Sequence, residues 1–153
     1  MANIVFNIAK GRVAELYGNV ESNSPANSAL ILIPIETAGL EADATLVDAD
    51  TVAAVLAGTT NEQTTMGRKT LTDAELAAIP APNDASDYNE LSLPTVQWLA
   101  ATGNAISKIL VAYDPDTTGG TDANLVPLTM FDFAQTPNGS TIEMTTGAFF
   151  RAT

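Results

Sequence analysis

The sequence contains no cysteine and no histidine among its 153 residues. The first absence excludes disulfides and thiolate chemistry. The second removes the commonest general base and the commonest transition-metal ligand. Aromatics are scarce: five Phe, three Tyr and one Trp. Basic residues number only 6 against 18 acidic ones, a formal charge of −12. Such a chain repels phosphate backbones and anionic lipid, so no direct nucleic-acid or membrane contact is expected. The excess acid is read first as solubility and second as recognition of a basic partner. No apolar run approaches the ~18 residues that read as a bilayer span, and the longest, Ala29 to Ile35, is interrupted by Pro34. The opening "MANIVFNIAKGRV" has neither the basic segment nor the long apolar segment of a secretory signal. Synthesis in the cytoplasm of the producing cell is the expectation.

What is present is a hydrophobic content of 46%, mostly Ala, Val, Leu and Ile. That suffices for one domain, residues 1–153, with its own core and an N-terminal arm over about 1–9. "MANIVFNI" reads as a short strand or extended arm. In "AKGRVAELYGNVE", Val13, Leu16, Tyr17 and Val20 fall at i, i+3, i+4 and i+7, which predicts a helix with one apolar stripe. "ALILIPIETA" is a continuous apolar run of strand length, and Pro34 argues for a sheet edge or a bulge there.

Two further helices are predicted from their caps. In "LVDADTVAAVLAGTT", Asp48 is placed as the N-cap, Val47 and Val52 as a hydrophobic staple, and Gly58 as the C-terminal stop. In "LTDAELAAIP", Thr72 and Glu75 form a capping box, and Pro80 ends the segment. After the acidic loop "APNDASDYNE" the pattern turns strand-like. "ELSLPTVQWLAA", "AISKILVAYD", "LVPLTMFDFAQT" and "STIEMTTGAFF" are the candidate strands. Asn138-Gly139 in "TPNGS" predicts a hairpin between the last two, because both residues tolerate positive φ. The fold class is α+β: mainly antiparallel β-sheet in the second half, with two or three short helices in the first half.

The stretch closest to site chemistry is "YDPDTTGGTD", Tyr113 to Asp122, which begins like a calcium loop. A helix-loop-helix calcium site wants oxygen ligands at positions one, three and five, glycine at six and a bidentate glutamate at twelve. Counting from Asp114, position six is Gly119 but position twelve is Leu125, and the flanks look like strands. A different calcium geometry through Asp114, Asp116 and Asp122 is the alternative to a plain strand connection built on Asp and Gly turns. The carboxylate pairs Asp48/Asp50 and Asp73/Glu75 each sit in the first turn of a predicted helix, where the macrodipole favours negative charge. The segments "TTGGTD" and "TTGAFF" lack the Lys of a phosphate-binding loop. An enzyme is therefore not expected, and neither is a cofactor or a metal.

That leaves an interaction protein. Both chain ends are apolar: Ile4, Val5 and Phe6 at one, Phe149 and Phe150 at the other, with Arg151 beside them as a partner for acidic groups. These six residues are the candidate contact positions.

From Leu46 onward the chain resembles a group of small virion-structural proteins of tailed bacteriophages. The resemblance rests on "LVDADTVAAVLAG", "GRKTLT", "WLAATGNAISKILVAYDPDTTGGTDANLVPLTMFDFAQTPNGSTI" and the terminal "FFRAT". It implies a particle component located in the virion, namely a capsid decoration or cement protein bound to the major capsid protein. A tail or neck component, or a soluble cytoplasmic binding module encoded by the phage, are the rival readings. Decoration proteins gather around local symmetry axes, so a homo-oligomer, first of all a trimer, is expected.

Overall fold

In the computed structural model, which describes residues 4–153, β2 (Ala29–Glu36) runs through the middle of the molecule and is buried along almost its whole length. Its alternation of side chains explains why. Leu30 and Leu32 enter one core, while Ile31, Ile33 and Ile35 enter another on the opposite face. A strand covered on both sides has to be apolar at every position, so the run "ALILIPI" carries no period-two pattern.

β2 belongs to a five-stranded antiparallel sheet in the order β1-β7-β6-β2-β3, with β1 at Ile4–Val5, β3 at Lys69–Leu71, β6 at Ile106–Asp114 and β7 at Val126–Gln135. The strand is therefore interior, not an edge as Pro34 suggested. Pro34 is tolerated because it lies beyond the stretch that β3 covers (Leu30–Leu32). On that side its carbonyl accepts from Gln63 N at 2.9 Å, and a bulge follows between Ile35 and Glu36. The bulge half of the expectation holds.

α1 (Val13–Glu21) lies against one face of the sheet through Val13, Leu16, Tyr17 and Val20, the stripe its spacing predicted. The same face is completed by two ribbons. β4 (Asn89–Leu93) pairs with β9 (Gly147–Ala152), and β5 (Val96–Trp98) pairs with β8 (Ile142–Met144). Trp98 anchors them, 1% exposed, with its indole N–H donating to Gly67 O at 2.9 Å. The opposite face is covered by two one-turn helices, α2 (Asp43–Leu46) and α3 (Val52–Val55), through Leu46, Val52 and Val55.

The α+β class is thus as expected: mostly antiparallel sheet with three short helices, all in the first half. Four local expectations need correction. α3 ends at Val55 with Leu56 as its C-cap, and Gly58 is not in the left-handed region, so it is not the stop. Asp48 caps nothing; the N-cap of α3 is Thr51, whose side chain accepts from Ala54 N at 3.1 Å. The Asp48 carboxylate instead takes a hydrogen bond from the Asn7 amide. The capping box forms as drawn, with Thr72 N donating to Glu75 Oε2 at 2.7 Å, but what it closes is a turn and not a helix. Asn138-Gly139 does turn the chain, Gly139 having φ of +90°, yet no hairpin follows. β7 pairs with β6 and β1, and β8 pairs with β5.

Candidate functional site

The "YDPDTTGGTD" stretch connects β6 to β7, and its polar groups are engaged from end to end. Asp114 Oδ1 accepts from Asp116 N at 3.0 Å, and Asp116 Oδ1 accepts from Thr118 N at 3.0 Å and from its hydroxyl at 2.6 Å. These are side chains mimicking backbone turns, the usual occupation of Asp in a tight loop. The Thr118 bonds hold the Asp116 carboxyl below its ordinary range. Thr117 N donates to Asn27 O at 3.0 Å, which ties the loop to the turn before β2.

Arg68 dominates the electrostatics of this region. Its guanidinium reaches Glu62 through Nε at 2.8 Å and Nη2 at 2.5 Å, and Asp122 through Nη1 at 2.6 Å and Nη2 at 2.9 Å. Both carboxylates are engaged in two-pronged fashion, the strongest arrangement open to an Arg. The hydrogen bonds to Glu62, and then those to Asp122, raise the guanidinium pKa, while the bond from Arg68 lowers that of Asp122. The clamp joins the segment before β3 to the β6–β7 loop. That loop in turn satisfies α3: Val52 N donates to Leu125 O and Ala53 N to Asp122 O, each at 3.0 Å. A helix of one turn has mostly orphan amides, so this long-range capping is what holds it in place.

Arg68, Thr70, Asp114, Thr121 and Asp122 line an open cleft of about 260 Å³. That falls short of the roughly 300–1,000 Å³ of a small-molecule site. Its only cation, Arg68, already serves two carboxylates. Among the described residues there is no group of three or more His, Cys, Asp or Glu placed to hold a metal ion. Asp122, the third ligand of the alternative calcium geometry, is committed to Arg68. Chemically the arrangement is a latch.

Three other cations are in ion pairs as well. Lys108, buried on β6, forms ion pairs with Asp43 at 3.2 Å and Asp132 at 2.9 Å. Burial pulls its pKa down, but the bonds from the two carboxylates outweigh that and raise it. Arg12 pairs with Glu15 and Arg151 with Glu90.

The six candidate contact residues are split by the fold. Phe6 is fully buried in the core beneath α2 and α3, and its N–H donates to Leu128 O at 3.0 Å. Phe149 is 1% exposed and packs on Tyr17 with ring centroids 6.0 Å apart. Both rings are spent inside the chain, each contributing about 2 kcal/mol of burial to its own core. Ile4 and Val5 form β1 at the sheet edge, and Phe150 is half-buried in β9. Arg151 is exposed, bonded to Glu90 through Nε at 2.8 Å and stacked over Tyr88 at 4.2 Å. The acidic partner foreseen for it is thus in its own chain. Residues 1–3 of the expected arm lie outside the described residues.

Sequence reasoning missed the Arg68 clamp. "GRKT" holds two of the six basic residues, and nothing in its local pattern marks Arg68 as a clamp. Its partners lie 6 and 54 residues away, the nearer one in a segment without helical or strand periodicity. No family model, curated protein or solved structure matches this chain.

Proposed function

We propose that the chain is a non-enzymatic structural protein of a bacteriophage virion, and specifically a decoration or cement protein that stabilises the head by binding the major capsid protein. The observation that carries this reading is where the resembling stretch falls. "AISKILVAYDPDTTGGTDANLVPLTMFDFAQ" comprises the two longest strands of the central sheet, β6 and β7, and the loop between them. The stretch that carries the resemblance is thus the hairpin on which both cores are built.

The mechanism is mass action. A protein that binds only the expanded shell stabilises that state, by an amount that grows with the logarithm of its free concentration over Kd. A copy on the outside faces solvent and not DNA, so a charge of −12 carries no penalty there.

Quantifying the protein in purified particles tests this. A decoration protein is present in proportion to the major capsid protein. A handful of copies per particle indicates a neck or tail component instead, and absence from the particle overturns the virion reading in favour of a soluble binding module.

A further inference from the structure

The β5–β8 ribbon presents an exposed apolar knob at one end and an apolar recess at the other. Leu99 follows β5 and is 73% exposed, while its neighbours Trp98 and Ala101 are 1% and 3% exposed. The turn that projects it is fixed. Ala101 N donates to Ser140 O at 3.0 Å, Gly139 N donates to Ala101 O at 2.7 Å, and Ala100 is held at φ of +47°. An alanine in the left-handed region is strained, and such strain persists where surrounding structure enforces it, often at a binding feature.

The recess lies where β5 and β8 give way to the neighbouring ribbon. Leu93, Phe131, Met144, Gly147 and Phe149 line a space of about 100 Å³. Since a water's share of liquid is about 30 Å³, that is room for the four carbons of one leucine side chain. The corner beside it is pinned, Thr146 N donating to Thr95 Oγ1 at 3.0 Å and Thr146 Oγ1 to Leu93 O at 2.8 Å.

Charge identifies the occupant. No charged residue occurs from Leu91 to Ser107, in a chain whose net charge is −12. From Phe133 to Ala152 there are only Glu143, bonded to Gln97, and Arg151, paired with Glu90. Two copies of so acidic a molecule repel each other across most of their surfaces, and the ribbons form the face on which they can approach. Interface cores are depleted of charge in this way.

We infer that the ribbon face is a self-association surface, in which Leu99 of one copy enters the Leu93–Met144–Phe149 recess of the next. Knob and recess are different patches of one chain, and Leu99 stands exposed outside its own recess. Because they lie at opposite ends of one ribbon, two copies related by a two-fold axis can each place a knob in the other's recess, and repeating the contact in one direction builds a ring or filament instead. This goes beyond the virion reading and stands or falls separately from it.

Sedimentation of the full chain tests the inference. The wild type is expected to sediment as a dimer or larger species. Leu99→Asp, an exposed substitution, is expected to run as the 15.9 kDa monomer with an unchanged circular dichroism spectrum and melt. Because the chain has no cysteine, Leu99→Cys and Thr145→Cys variants, the second in the lining of the recess, report the pairing directly. Oxidising their mixture should give a disulfide-linked pair that neither variant gives alone. A monomeric wild type, or a Leu99→Asp variant that associates like the wild type, overturns the inference. So does Leu99→Cys cross-linking to itself, since that places the knobs against each other.

Discussion

Replacing Arg68 with methionine keeps an unbranched apolar stem and removes every hydrogen bond the guanidinium makes to Glu62 and Asp122. Glu62, whose side chain is only 13% exposed, is then left without its counter-ion. Stranding a buried charge costs about 3–5 kcal/mol. Here Asp122 retains solvent contact, its side chain being 35% exposed, so a loss of about 2 kcal/mol is expected in denaturant titrations. The same clamp has a pH signature. Arg68 depresses the Asp122 pKa, so the stability this provides is present above the ordinary carboxylate range and is lost as pH falls through the depressed value. Thermal melts below about pH 4 should therefore fall less steeply for Asp122→Asn than for the wild type. Thr129 is the opposite case. Its hydroxyl is fully buried on β7 with no hydrogen-bond partner among the described residues. Thr129→Val keeps the shape and discards an unsatisfied group, and a gain of about 1 kcal/mol is expected; a loss of that size would show that the hydroxyl is satisfied in solution.

At the scale of elements, what was legible in the sequence is what local pattern controls. The stripe of α1, the two long strands and the turn closed by Thr72 and Glu75 all depend on residues within a few positions of one another. α3 shows the limit. "DADT" offers Asp48, Asp50 and Thr51 as caps in succession, and position alone does not choose among them. The choice falls to Thr51 because Leu125 and Asp122, from the β6–β7 loop, hold the next two amides. Thr51→Ala should then cost about 1 kcal/mol, while Asp48→Ala stays within about 0.5 kcal/mol, as a surface change does. Equal losses in the two variants would contradict the observed cap. The hairpin forecast from Asn138-Gly139 failed for the same reason. The turn is local, but β8 goes to β5, a pairing between Trp98 and Ile142 across more than forty residues. In the candidate site, the loop was legible as a strand connection because its Asp and Gly spacing is turn chemistry. The guanidinium that fastens it was not, since nothing in "GRKT" names Glu62 or Asp122.

For the molecule as a whole, the internal ion pairs have an outward consequence. Four cations, Arg12, Arg68, Lys108 and Arg151, are each in an ion pair within the chain. The surplus of carboxylate is left to the surface, except over the ribbons, where charge is sparse. On the proposed reading, a sheet buried on both faces and an acidic exterior suit a protein that sits on a lattice with its acidic surface toward solvent. The most direct measurement is binding of the purified protein to expanded heads that lack it, compared with unexpanded shells of the same phage. Saturable binding to the expanded heads alone, in fixed proportion to the major capsid protein and with increased resistance of the heads to heat, is the expected result. Absence of binding to expanded heads, or equal binding to both forms without stabilisation, would contradict the proposed role.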